Sequence, residues 1–374
     1  MDFTPSEEQR AARDLAARIF GDLATHERLT AAGTGTDTEL WKRLGEAGLI
    51  ESVEETGLLG LVLLLEEQGR TTAQVPLAAT SVYGLLAVGA YGSEKQRELL
   101  LPGLRNGSVV AVGAFSASGT GSVRAEAEAG ADAGARAGAG WDVAALSGTG
   151  PAVPWLRDAT HVVVPDTDRT LWLVRTDAAG AGVEPVETTA PWAAGRLVLT
   201  GARGERLGGP GPEPYDRIRR AARIAFAGLQ AGVCAGSVAR AARHTSEREQ
   251  FGQPLSAKQA VQLRAAEAHM DTESIRVTAY EAAWRYDEGL ACEGHALTAA
   301  WWASEAGRRV VHAGQHLHGG AGADLEHPVH RHFLWGRQID TYLGGAGQVG
   351  EELGELLMAD GLPDAGAVEE GSEG

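Results

Sequence analysis

The chain has 374 residues, with 33 Lys and Arg against 50 Asp and Glu, so its net charge is −17 and its pI is near 5.1. At roughly 150 residues per domain this length suggests two or three domains, and 44% hydrophobic residues supply a sizeable core, which excludes global disorder. An acidic chain of this kind lacks the clustered basic surface that nucleic-acid binding needs, so an anionic ligand must be held by a few placed arginines or backbone N–H groups.

In chain order, Thr4 as a cap, Pro5 at the first helical position and Glu7 three residues after Thr4 predict a helix. Leu15, Ile19, Phe20 and Leu23 recur along it at helical spacing. Further helices are predicted over 38–50, 57–69, 74–90 and 93–105, closed by Gly103, Asn106 and Gly107. VVAVGAF after Ser108 is a strand-like run. The Ala/Gly tract over 124–140 reads as a strand with a loop, or as a loop alone. Short Val- and Leu-rich strands are predicted around 142–147, 160–165, 170–175 and 195–200. GERLGGPGPEP, residues 204–214, reads as a linker. Long Ala-rich amphipathic segments over 215–246, 256–288, 293–317 and 328–341 predict an antiparallel bundle. The expected fold class is α+β: an N-terminal helical domain (1–108), a middle β-barrel or sandwich domain (109–205) and a C-terminal four-helix bundle (206–357). An acidic tail (358–374) is expected to be disordered.

The opening MDFTPSEEQR has neither the basic nor the apolar region of a signal peptide. The apolar run Leu58 to Leu65 is too short to span a membrane. Cys234 and Cys292, far apart in sequence, make neither a disulfide framework nor a Cys-based zinc site. A cytoplasmic protein without membrane association is expected.

Three stretches carry a family resemblance. The first is Arg248-Glu-Gln-Phe251-Gly252-Gln-Pro254 followed by Gln259. The second is His318-Gly319-Gly320-Ala-Gly322 followed by His327, Pro328 and Arg331. The third is the opening MDFTPSEEQ together with Trp41-Lys-Arg-Leu-Gly-Glu-Ala-Gly-Leu49. With the helical, β, helical order, they resemble the acyl-CoA dehydrogenase family over nearly the whole chain. The resemblance implies a tetrameric flavoenzyme with FAD between subunits, oxidising an acyl-CoA thioester to the 2,3-enoyl-CoA. A carboxylate takes the α-proton and the flavin takes the β-hydride.

Carried over residue by residue, the resemblance splits the chain. Arg248, Phe251, Gln259, Gly319 and Gly320 match the positions that reach the adenine and pyrophosphate end of a neighbouring subunit's FAD. The family's Gln before the glycines falls on His316, with Gln315 one place off. Ser116 and Ser122 match hydroxyl residues that contact the flavin ring in the chain's own subunit. The Trp-Ile-Thr stretch that covers that ring falls on Ala152-Val153-Pro154, with Trp155 displaced. The family base falls on Leu343, between Tyr342 and Gly344, and the alternative base position on Ala222, beside Arg223. Neither side chain accepts a proton. Arg223 and Gly344 are therefore expected near the substrate, and no catalytic residue is assigned.

This pattern resembles the base-lacking partner subunit of heteromeric acyl-CoA dehydrogenases. FAD, an acyl-CoA substrate and a second acyl-CoA dehydrogenase-like subunit, or a tetramer of this chain, are the implied ligands and partners. The alternatives are an active homotetramer whose base lies elsewhere, with Asp340 one turn before Leu343 as a candidate, a flavin oxidase or monooxygenase on the same fold, and an assembly protein without flavin. Each assigned residue also has a plainer reading: an exposed arginine, a core Phe, a helix stop at Gly319, a structural ion pair at Arg223. His312 and His316 have the i, i+4 spacing of a helical metal pair but no H-E-x-x-H pattern, and no metal is expected. Gly345-Ala-Gly347-Gln-Val-Gly350 is a literal G-x-G-x-x-G without the strand before it and the βαβ unit after it. It is expected to line the mouth of the flavin or acyl cavity.

Overall fold

In the computed structural model, which describes residues 3–116, 123–127 and 142–359, helix α1 (Glu7–Leu23) is capped by Ser6 rather than Thr4. Ser6 and Gln9 form a reciprocal capping box, and such paired bonds outcompete Thr4 because they satisfy two orphan N–H groups at once. After α2 (His26–Ala31), α3 (Thr38–Glu46) and α4 (Val53–Thr71) come a short α5 (Leu77–Ala79), a π-helix (Thr80–Leu86), α6 (Ala87–Tyr91) and α7 (Glu94–Asn106). The π-helix is invisible to hydrophobic periodicity, since it only widens a continuing helix. Within α4 the chain kinks at Gly57, whose φ is 70°. The Asp287 carboxylate accepts bonds from the N–H groups of Leu58 (2.8 Å) and Leu59 (2.9 Å). A residue far along the chain thus caps the straight part of α4, and a Cβ at Gly57 would lie 2.7 Å from that carboxylate.

A seven-stranded sheet follows: β1 (Ala111–Gly113), β2 (Val123–Ala127), β3 (Val143–Val153), β4 (His161–Pro165), β5 (Leu171–Arg175), β6 (Ala181–Pro185) and β7 (Gly195–Leu207). The order is β1-β4-β5-β7-β3-β2, and β6 also pairs with β7. Only β1 and β4 run parallel among these named strands. The long β7 accepts β6 along its first half and β5 along its second, with β3 on its other edge. The Ala/Gly tract thus begins as a strand at β2, and its residues 128–140 lie outside the described ones. The expected linker over 204–214 is shorter in fact, because β7 runs to Leu207 and the next helix starts at Glu213.

The C-terminal part is α8 (Glu213–Glu247), a hairpin of β8 (Glu249–Gln250) and β9 (Gln253–Pro254), α9 (Gln259–Asp287), α10 (Glu293–Leu317), α11 (Val329–Leu343) and α12 (Gly345–Ala359). The Gly345–Gly350 segment opens α12, a fifth helix beyond the four expected, so it is neither a strand-following loop nor a dinucleotide turn. Gly344, at φ 105°, caps α11 and turns the chain into α12. Helix α8 is long and apolar enough to cross a membrane by composition, but 94% of its apolar window is buried in the protein, as in a core helix. It crosses α4 closely, where a Cβ at Gly232 would fall 2.0 Å from the Glu66 carbonyl oxygen.

Candidate functional site

The first group of assigned residues meets at one end of the bundle. Arg248 ends α8, and its N–H donates to the His244 carbonyl (2.9 Å). Its own carbonyl accepts from Leu255 N–H (2.9 Å), which closes the hairpin. At the tip Phe251 (φ 59°) and Gly252 (φ 79°) are both left-handed, the conformation of a two-residue type I′ turn. Gly suits it; Phe costs strain there. Phe251 is nonetheless 91% exposed, with the Lys258 ammonium 4.5 Å from its ring centre. A strained, solvent-facing aromatic is unlike a core residue and is suited to meeting another molecule. Arg248 is exposed and has no ion-pair partner among the described residues. Gln259 opens α9 directly after Lys258 and is also exposed.

Gly319 and Gly320 reach the same end from α10. The His318 ring stacks on His244, with centroids 4.7 Å apart, and so ties the end of α10 to the last turn of α8. Burial lowers the His318 pKa, which keeps that ring neutral. Gly319 has φ 61°, and a Cβ at either glycine would meet no atom within 4 Å. The backbone is therefore bare and open to a ligand. The Gln315 amide donates to the Gly322 carbonyl and shapes this turn. A guanidinium, exposed amide and bare glycine backbone on one surface form a donor set suited to phosphate oxygens.

The second group sits around a different cavity. Tyr83, Phe115, Ser116, Arg219, Ala222, Arg223, Tyr342 and Leu343 line it, and its volume is only about 30 Å³. The Tyr83 and Tyr342 hydroxyls bond across it at 2.6 Å. Phe115 stacks on Tyr215 (5.0 Å) and Phe226 packs on Tyr342 (4.2 Å). Burial pushes both Tyr83 and Tyr342 well above the ordinary tyrosine range, so neither is a base. No carboxylate lines the cavity among the described residues. Asp340 instead neighbours Ser304, Glu305 and Arg308 on α10. Sequence reasoning missed Glu352 on α12, which is not among the lining residues but pairs with two that are, Arg219 (2.9 Å) and Arg223 (2.6 Å). Burial lowers the Arg223 pKa, as does Arg219, while Glu352 opposes both. Periodicity carries no sign of such a pair, because its members are joined only when α12 folds back.

Beside this cavity lies a second, about 200 Å³, bordered by Phe115, Ala152, Pro154, Gln338, Thr341 and Tyr342. That is below the roughly 300 Å³ at which ligand pockets begin. Trp155 does not cover it. The ring is fully buried, stacked on Trp192 (4.6 Å) and edge-on to Trp335 (6.4 Å). Ser116 lines the first cavity, Gly344 follows Leu343 at the end of α11, and Ser122 lies outside the described residues. The His312 ring packs edge-on against Phe333 (4.9 Å). Among the described residues no group of three His, Cys, Asp or Glu is placed to hold a metal.

Comparison with known proteins decides the family. Residues 6–108 match the acyl-CoA dehydrogenase N-terminal domain and residues 220–353 the C-terminal domain. The chain belongs to the acyl-CoA dehydrogenase family. Members of this family are flavoproteins that bind FAD. The chain is 33% identical to the acyl-CoA dehydrogenase FadE27 of Mycobacterium tuberculosis, covering 95% of this chain and 99% of that one. It is similar to a variant of the Tcur3481–Tcur3483 steroid acyl-CoA dehydrogenase, with TM-score 0.83 and 39% identity over 95% and 98% of the two chains. It is also similar to the ChsE4–ChsE5 complex of M. tuberculosis, with TM-score 0.87 and 29% identity over 97% and 100%. The butyryl-CoA dehydrogenase of Megasphaera elsdenii shares the fold at TM-score 0.81 and 22% identity.

Proposed function

We propose that this chain is the non-catalytic subunit of a heteromeric acyl-CoA dehydrogenase, and that it completes the FAD site of a base-bearing partner. The observation that carries the reading is the cavity at the two family base positions. It holds Ala222 and Leu343 instead of a carboxylate, and tyrosine rings fill it to about 30 Å³. The opposite end of the bundle is open and donor-rich, so the two halves of the chain differ in what they still fit.

In this reading FAD supplies the hydride acceptor for α,β-desaturation of an acyl-CoA thioester. Arg248 would hold pyrophosphate oxygens by charge-assisted bonds. The bare backbone at Gly319 and Gly320 would admit the same group, and Phe251 and Gln259 would contribute an apolar contact and a donor. The proton step belongs to the partner, since nothing lining this chain's own cavity accepts a proton. The similar complexes built from two different chains, ChsE4–ChsE5 and Tcur3481–Tcur3483, support this reading. An active homotetramer would need a carboxylate reaching this cavity, where Leu343 and Ala222 stand at the two family base positions.

Expressing the chain alone, and then with a base-bearing acyl-CoA dehydrogenase chain from the same genome, tests the proposal. The expected result is FAD retention and acyl-CoA oxidation only in the mixed preparation. Turnover by the lone chain would overturn it.

A further inference from the structure

Helix α7 borders one face of the sheet and leaves a groove of about 410 Å³ beside its N-terminal half. Successive strand residues point to opposite faces. His161 on β4 stands opposite Arg175 on β5, and Leu173 opposite Glu205 on β7, so these side chains share the face that the groove exposes, together with Arg203. Leu100 of α7, Val109 and Leu173 make an apolar floor. Gln96 is buried, and its amide donates to the Arg206 carbonyl (3.2 Å), which fixes α7 to β7. The walls are therefore in place before a ligand arrives, and the volume falls within the roughly 300–1,000 Å³ of small-molecule sites. The groove shares no lining residue with either cavity beside Leu343.

The charges around the groove say what fits it. Lys95, Arg175 and Arg203 line it with the carboxylate of Glu205, in a chain whose net charge is −17. Asp177 holds Arg175 in place at 2.7 Å, while the Lys95 ammonium has no partner among the described residues. Burial, and then Arg175, lowers the His161 pKa, so that ring is neutral and extends the apolar wall. Leu99 stands at the opening, 72% exposed. An apolar body covers the floor and Leu99 while one acidic head meets Lys95 and Arg175. Glu205 on the same face repels a doubly charged head more than a singly charged one.

We propose that the groove between α7 and the sheet binds a small apolar carboxylic acid, a chain or ring body with one carboxylate head. The site is separate from both groups of residues described above, and the proposal stands whether or not the chain is a partner subunit.

Two fluorescent probes with the same rings, anilinonaphthalene sulfonate and the uncharged phenylnaphthylamine, test it by titration of the full chain. The sulfonate is expected to show a saturable component about tenfold tighter than the neutral probe, as charge-assisted bonds to Lys95 and Arg175 give. Lys95→Gln combined with Arg175→Gln is expected to remove that tenfold advantage and leave the neutral probe unchanged. Ala178→Trp, which fills the groove at its half-buried edge, is expected to remove this component for both probes, with circular dichroism as a fold check. Dodecanoate is expected to displace the sulfonate probe more strongly than dodecyl phosphate does. A sulfonate component that persists unchanged in the Lys95 and Arg175 double variant would overturn the site, as would a wild type without one. Equal affinity for the two probes would overturn the anionic head, and stronger displacement by dodecyl phosphate would overturn the carboxylate.

Discussion

Leu343 separates two accounts of why the chain would lack activity. If only the base were missing, Leu343→Glu would restore turnover. The surrounding space argues otherwise, since Tyr83, Phe115 and Tyr342 already fill the cavity beside Leu343. Leu343→Glu is therefore expected to give no acyl-CoA oxidation, and to destabilise the fold by about 2–4 kcal/mol, as a carboxyl replaces a buried alkyl group. Urea unfolding and a dye-reduction assay check the two halves of this statement. Arg248 offers the converse case, because its guanidinium is exposed and its loss should leave the fold alone. Arg248→Ala in the mixed complex is expected to weaken FAD retention at least tenfold, the effect of about 1.5–3 kcal/mol from a charge-assisted bond. Flavin absorbance after gel filtration measures it. Arg248 and Leu343 were both legible in the sequence, because each lies in a contiguous motif. Glu352 was not, since only the return of α12 brings it to Arg219 and Arg223.

Among the elements, α12 and α4 depend most on contacts made across the chain. Glu352 pins α12 to α8, and its removal leaves the largely buried Arg223 without a carboxylate. Glu352→Gln is expected to cost about 1–3 kcal/mol in chemical unfolding. Protection of α12 amides in hydrogen exchange should fall before that of α8. Asp287 plays the corresponding part for α4. Asp287→Ala is expected to cost about 1 kcal/mol, as for loss of a helix cap, again read by urea unfolding. The long helices were visible from their 3.6-residue periodicity. The π-helix at Thr80–Leu86 and the edge strand β6 were not, because neither changes the apolar pattern enough to be read from residue types alone. The Ser6 cap shows the same limit at finer grain: Thr4 and Ser6 are both competent caps, and the bond to Gln9 selects between them.

Over the whole molecule, stability responds to charge. His332 is fully buried, and its Nε2–H donates to the Arg70 carbonyl at 3.0 Å. Burial, reinforced by Arg240, pushes it down to about 3 from an ordinary value of 6.5. The unfolded chain takes up this proton near 6.5 and the folded chain refuses it until about 3. Stability present above the higher value is therefore lost as pH falls through that window, by up to about 1.4 kcal/mol per pH unit. Burial lowers His318 and His330 too, which adds in the same direction. Urea midpoints between pH 7 and 4 should show the slope, and His332→Gln should flatten it. The sequence by itself determined the family, the α+β order and the long helices, because each is written in local pattern or in contiguous motifs. Only the tertiary structure decided that the cavity is filled, that Trp155 belongs to the core, that Glu352 closes over α8, and that Phe251 faces outward. Burial and exposure are properties of how distant segments pack, and no single segment carries them.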